Sequence, residues 1–316
     1  MTKRKIVIIS IITLISAALV AVLVILGVDA HLNSKISYTV EDYLPDGEGK
    51  IARVILLGGQ SNASGCSLDE YLEKTSTPQK YAEYKNGYDN VYINYFATGT
   101  NESRGFVKCA TAQGEAGLCF GPELGMAEQL HEQYPDELFF IIKYAWGGSN
   151  LYDQWLSPSS FGKTGTLYRH FIKYVDTSID YLVSKNYQVV VEGMCWMQGE
   201  SDAFSPDNAT DYEKHLKNFI KDLRRKYASY SSSDGIAFVD AYIADNPMFW
   251  VYYADVNAAK KKVADSSSKN LLVDTISLGL ETTKEPEENP DVPHYDSQSE
   301  ITLGKNFIIE LTPFLE

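Results

Sequence analysis

A hydrophobic run, Val54-Ile-Leu-Leu57, ends in Gly58-Gly59 and delivers Gln60-Ser61-Asn62-Ala-Ser-Gly65. A serine at the carboxyl end of a strand, in a turn that glycines permit, can expose its Oγ as a nucleophile and leave nearby backbone N–H groups free for an oxyanion. Taken alone, the segment also reads as a simple connection. Acyl transfer by a serine needs a base and a group that orients it. Of the five histidines, His31 falls in a polar stretch, while His131, His170 and His215 fall on polar faces of predicted helices, where a solvated role is expected. His294 stands apart in Asn289-Pro-Asp291-Val-Pro-His294-Tyr-Asp296. Asp291 can hold Nδ1–H and fix the tautomer while Nε2 faces the serine. Asp296 is a rival orienter, at a position that also suits capping of the next helix.

Two more apolar runs end in glycine: Tyr144-Ala-Trp146-Gly147-Gly148-Ser149-Asn150 and Cys195-Trp196-Met197-Gln198-Gly199-Glu200-Ser201-Asp202. A glycine N–H and an amide such as Gln198 are oxyanion-hole donor types. A tight turn and a hydrogen-bonded loop explain the same residues without chemistry.

These segments need elements to position them. Apolar runs at Ile51 to Leu57, Val91 to Phe96, Leu138 to Tyr144, Val189 to Trp196, Ile236 to Val239 and Leu271 to Val273 read as buried parallel strands. Helical spacing over Pro122 to Tyr134, Thr166 to Lys185, Tyr212 to Tyr227 and Tyr253 to Ala264 separates them. Alternation of this kind predicts one α/β domain, a three-layer α/β/α sandwich with a mostly parallel central sheet and its ligand site at the strands' carboxyl ends.

Together, Gly-Gln-Ser61-Asn, Trp146-Gly-Gly-Ser, Trp-Met-Gln198-Gly-Glu200-Ser-Asp202 and Asp291-x-x-His294-Tyr-Asp-Ser resemble the four blocks of the SGNH-hydrolase superfamily, in its sialate O-acetylesterase-like and acetylxylan esterase branch, carbohydrate esterase family 6. Phe120-Gly-Pro-Glu123 and Val256-Asn-Ala-Ala259 also resemble family segments, and the likeness runs from residue 51 to about 310. The resemblance implies a flavodoxin-like fold and a serine carbohydrate esterase that removes O-acetyl groups through an acetyl-serine. By that resemblance Ser61 is the nucleophile, His294 the base and Asp291 its orienter. The N–H groups of Ser61 and of Gly147 or Gly148, with the Gln198 amide, would hold the oxyanion, supported by Gln60, Asn62 and Glu200. The Gln198 block replaces the Gly-x-Asn-Asp segment of more typical members. No cofactor is implied. The same triad could serve an O-acyltransferase, and a glycan-binding protein on an esterase fold is a further alternative.

The chain has 316 residues, 44% hydrophobic and 22% charged, which excludes low-complexity and wholly disordered classes. Its net charge of −14 disfavours nucleic acid as a partner, and it tilts the substrate towards a neutral acetylated polysaccharide over an anionic sialoside. Among 22 tyrosines and four tryptophans, Trp146 and Trp155 are the candidates for stacking on sugar, Trp155 on an open loop. Lys3-Arg4-Lys5 precedes Ile6 to Val28, an uncharged stretch longer than the ~7–15 residues of a secretory h-region and adequate for the ~20 of a spanning helix. Residues 1–30 therefore read as a membrane anchor with the domain outside, or alternatively as a cleaved signal whose Val28 and Ala30 fit the cleavage pattern. Residues 31–50 read as a spacer and 51–316 as the catalytic domain. The four cysteines show no zinc spacing, and Cys109 could pair with Cys119 in an oxidising compartment. Asn62, Asn101 and Asn208 match the glycosylation pattern by chance.

Overall fold

The computed structural model describes residues 35–99, 101–231 and 235–315. In chain order the strands are β1 (Ile51–Gly59), β2 (Ser67–Leu68), β3 (Val91–Ala97), β4 (Asn101–Glu102), β5 (Val107–Lys108), β6 (Cys119–Phe120), β7 (Phe139–Ala145), β8 (Gln188–Met197), β9 (Ala237–Ala241) and β10 (Asn270–Val273). The α-helices are α1 (Ser61–Ser64), α2 (Asp69–Thr75), α3 (Pro78–Asn86), α4 (Glu123–Gln133), α5 (Thr166–Ser184), α6 (Pro206–Lys226), α7 (Tyr253–Ala264) and α8 (Ser297–Leu311).

β1 is buried from Ala52 onward, on both faces, which is why its sequence is a continuous apolar run. It lies at the centre of a sheet ordered β10-β9-β8-β1-β7-β3-β4, parallel from β10 to β3, with β4 and β5 antiparallel to β3. Side chains alternate across a strand, and β7 shows which helix covers which face. Lys143 meets Glu123 of α4, while the neighbouring Tyr144 packs on Phe171 and Tyr174 of α5. Tyr168 of α5 meets Phe219 of α6, and α7 packs on α6. α8 crosses α4 at two glycines: a Cβ on Gly304 would lie 2.0 Å from Pro122 O, and one on Gly125 2.1 Å from Ile301 O. The predicted three-layer α/β/α sandwich is the observed architecture.

Several expectations are corrected. The stretch read as a spacer belongs to the domain from Tyr38 onward, because Tyr38 packs edge-on against Phe96 and Tyr174, and Leu44 is buried. Cys109 and Cys119 are both free thiols, and Cys109 Sγ donates to Glu123 O at 3.4 Å. His215 is buried against Ser160, His170 is half-buried against Tyr38, and His131 stacks on Tyr88, so none has the solvated role expected. The candidate anchor, residues 1–30, lies outside the described residues. Among the described residues no helix is long and apolar enough to cross a membrane.

Candidate active site

The three glycine-ended strands are neighbours in the sheet. Gly59 of β1 pairs with Ala145 of β7 on one side and with Met197 of β8 on the other. Their carboxyl ends therefore open together, at the edge where doubly wound sheets bind ligands. Gly59 turns the chain with φ +142°, and a Cβ there would stand 1.9 Å from Met197 O, so only glycine fits. Gln60 N–H then donates to Met197 O at 2.9 Å, and Ser61 opens the short helix α1. Ser61 is half-buried, and its Oγ makes no hydrogen bond among the described residues.

The residues flanking Ser61 bind the other two loops. Gln60 Oε1 accepts from Ser201 N–H at 3.1 Å. Asn62 Nδ2 donates to Glu200 Oε1 at 2.8 Å and to Pro293 O at 3.3 Å, and Asn62 Oδ1 accepts from Tyr295 N–H at 3.2 Å. Asn62 thus grips the backbone on both sides of His294. His294 Nδ1 lies 2.7 Å from Asp291 Oδ2, and no hydrogen bond joins His294 to Ser61 among the described residues. Asp296 occupies the N-cap position of α8, but its side chain makes no capping bond. Its carboxylate instead accepts from Lys284 and Glu285 N–H groups and makes no hydrogen bond with the imidazole among the described residues.

On the β7 side, Gly147 N–H donates to Thr98 Oγ1 at 3.1 Å, whereas Gly148 N–H has no partner among the described residues. Gly148 has φ +63°, and a Cβ there would meet nothing within 4 Å, so it faces open space. Thr98 also donates to Glu115 and lies 2.9 Å from Ser64 Oγ, which locks the end of β3 to the nucleophile turn. Sequence reasoning missed Thr98 and Glu115. The signal was available, since β3 too ends in a glycine turn, Thr98-Gly99.

Gln198 is fully buried and donates its amide hydrogens to Asp202 Oδ2 at 2.6 Å and Ser149 O at 3.0 Å. It has no N–H left for an oxyanion, which corrects its expected role to that of a brace. Asp202 also accepts from Leu151 and Tyr152 N–H groups, and burial pushes its carboxyl up to about 6. Burial raises Glu200 as well, against the opposing pull of its bond from Asn62. Trp155 has no exposed surface and donates Nε1–H to Ser149 Oγ at 2.8 Å, so it is core and not a sugar platform. Trp146 is half-buried and stacks on Phe96. A cavity of about 300 Å³ beside His294 is walled by Asp291, Glu285, Cys66 and Tyr295. No cluster of metal-ligating side chains occurs among the described residues.

No curated protein matches the chain by sequence. Among solved structures, one of a protein from Arabidopsis thaliana aligns with TM-score 0.59 at 16% identity, covering 86% of this chain and 100% of that one. NanS aligns with TM-score 0.59 at 14% identity, over 84% of this chain and 98% of its own. A carbohydrate acetylesterase from Xanthomonas citri aligns with TM-score 0.55 at 15% identity, over 83% of this chain and 56% of its own. Likeness at these identities shows a shared fold. The family model described as carbohydrate esterase, sialic acid-specific acetylesterase matches residues 51–312, and the chain belongs to that family.

Proposed function

We propose that the chain is a serine O-acetylesterase that strips acetyl groups from carbohydrate hydroxyls through an acetyl-serine intermediate. The observation that carries this reading is Asn62, whose side chain seats the segment 293–295 against the nucleophile turn while Asp291 holds His294 Nδ1. Ser61 Oγ attacks the ester carbonyl and passes its proton to His294 Nε2. The N–H groups of Ser61 and Gly148 take the charge that develops on the carbonyl oxygen. Collapse expels the sugar oxygen, which collects the proton from His294. Water, activated by the same imidazole, then releases acetate and restores Ser61. The hydrogen bond between Ser61 and His294 closes when substrate is bound, since such bonds are often open in unliganded enzymes.

The test is acetate release by the full chain from acetylated xylan and from an O-acetylated sialoside, with Ser61→Ala as the blank. Ser61-dependent release supports the reading, and equal release by the variant overturns it. The basic start and uncharged Ile6–Val28 support display of the domain outside the membrane. Membrane fractionation with protease accessibility tests that placement.

A further inference from the structure

The two N–H groups that take the charge of the carbonyl oxygen start from different strands. Ser61 N–H opens α1 behind β1, Gly148 N–H lies in the turn behind β7, and neither has a partner among the described residues. Their spacing is fixed only if the two turns are fixed to each other. One tie is made by the backbone, where Trp146 N–H donates to Gly59 O at 3.1 Å. The other is a side chain from a third strand, Thr98, just past the end of β3. Thr98 Oγ1 accepts from Gly147 N–H at 3.1 Å and lies 2.9 Å from Oγ of Ser64, the last residue of α1.

The direction of this hydroxyl follows from its inventory of one proton and two lone pairs. The proton is donated to Glu115 Oε1. The lone pairs are then left for Gly147 N–H and Ser64, which makes Ser64 Oγ the donor in the 2.9 Å contact. Glu115 is itself seated on the nucleophile turn, its N–H donating to Gly65 O at 2.8 Å. Gly147 leaves the carboxylate room, since a Cβ there would lie 2.5 Å from Glu115 Oε1. Thr98 also pays for its place in backbone geometry. Its φ is +49°, a left-handed conformation that β-branched residues rarely adopt, and its N–H is held by Ala145 O at 3.0 Å. Glycine would take the same conformation with less strain, but it would bring no hydroxyl. Strain of this kind persists where the surroundings over-determine a residue, and it gathers at functional sites.

Resting on the esterase reading above, we propose that Thr98 is a positioning residue of the oxyanion hole, whose hydroxyl oxygen sets the distance between the N–H groups of Ser61 and Gly148. By tying off Gly147 N–H it fixes the turn and leaves Gly148 N–H as the donor beside open space. Donors of this kind act by being aimed before the charge arrives, so a small shift of either is read in the rate of reaction more than in the binding of substrate.

The experiment measures hydrolysis of 4-nitrophenyl acetate by the full chain and its inhibition by benzeneboronic acid. The boron bonds to Ser61 Oγ and places a hydroxyl where the carbonyl oxygen would stand, so the Ki reports the hole without turnover. Thr98→Val keeps the shape of the side chain and loses the hydroxyl. It is expected to lower kcat/KM by about 10-fold to 10²-fold and to raise the boronate Ki in step. Thr98→Ser restores the hydroxyl and should bring both values to within about threefold of the parent. Thr98→Ala, which relieves the crowding of a β-branched side chain at this φ, is the second variant should the valine fail to fold. Equal losses in Thr98→Ser and Thr98→Val, or a valine or alanine variant that melts lower yet keeps kcat/KM or the Ki within about twofold of the parent, overturn the positioning role and leave the esterase standing. Absence of Ser61-dependent hydrolysis by the parent overturns the esterase reading itself.

Discussion

Tyr295 donates its backbone N–H to Asn62 Oδ1 at 3.2 Å, a bond between positions 233 apart in the chain. With the bond from Asn62 Nδ2 to Pro293 O, it seats the segment 293–295 on the residue that follows Ser61. Asn62→Ala removes both bonds. It is expected to lower kcat by about 10²-fold, as small misplacements of a catalytic group do, and to speed amide exchange at 293–295. A kcat within twofold of the parent would show that the loop holds its place without Asn62.

Ser61→Ala and His294→Ala are each expected to cost at least about 10³-fold in kcat while leaving the far-ultraviolet spectrum and Tm near those of the parent. Both positions lie at the rim of the sheet and outside its packed interior. Steady-state acetate release together with thermal melts checks both halves of the expectation.

The two aspartates near His294 make opposite predictions. Asp291→Asn should reduce kcat by up to ~10⁴-fold, because an asparagine oriented to accept from the ring no longer stabilises the imidazolium and one oriented to donate selects the wrong tautomer. Asp296→Asn should act on stability, since its carboxylate accepts from the Lys284 and Glu285 N–H groups. If the Asp296 variant is the inactive one, the orienter has been misassigned.

Asp69, at the start of α2, has its carboxyl pushed up to about 6 by burial, and Oδ1 is buried without a partner among the described residues. An unfolded aspartate titrates near ~3.9, so between about pH 4 and 6 the folded state holds the proton more tightly. Its contribution to stability is complete below about pH 4 and is lost as pH rises through about 6. Asp69→Asn should therefore show a smaller fall in Tm than the parent across that interval. A parallel pair of Tm profiles would contradict it.

Thiol titration in denaturant without reductant should return four thiols per chain, since all four cysteines are free. Recovery of two would point to the Cys109–Cys119 bridge that their spacing allowed.

The sheet was readable because strands covered on both faces leave continuous apolar runs: β1, β7 and β8 all carry such runs. Helix α6 begins at Pro206, earlier than its apolar spacing suggests, because its first turns are polar. α2 and α3 gave no stripe to read, as Leu72 and Tyr84 are their only buried residues. The strand-end residues of the site announced themselves through glycine. At Thr98 the following glycine marked the strand end but not the role, which depends on lying beside Gly147, a neighbour that only the β3–β7 pairing supplies. Trp155 misled for the opposite reason: polar neighbours suggested an open loop, while the indole turns inward to Ser149.

The segment 281–292, which carries no strand or α-helix, is fastened at Lys284 and Glu285 by Asp296 and again at Pro293 by Asn62. Between those fastenings Glu287, Glu288 and Asn289 stand exposed, beside the wall of the His294 cavity. The tip is held at a third point, where Glu287 N–H donates to Tyr71 OH at 3.1 Å, and Asp291 follows it by two residues. Admission at residues 287–289 and orientation of the imidazole at Asp291 are thus written into one loop, two residues apart, so that a change in what enters is coupled through the backbone to the group that holds the base.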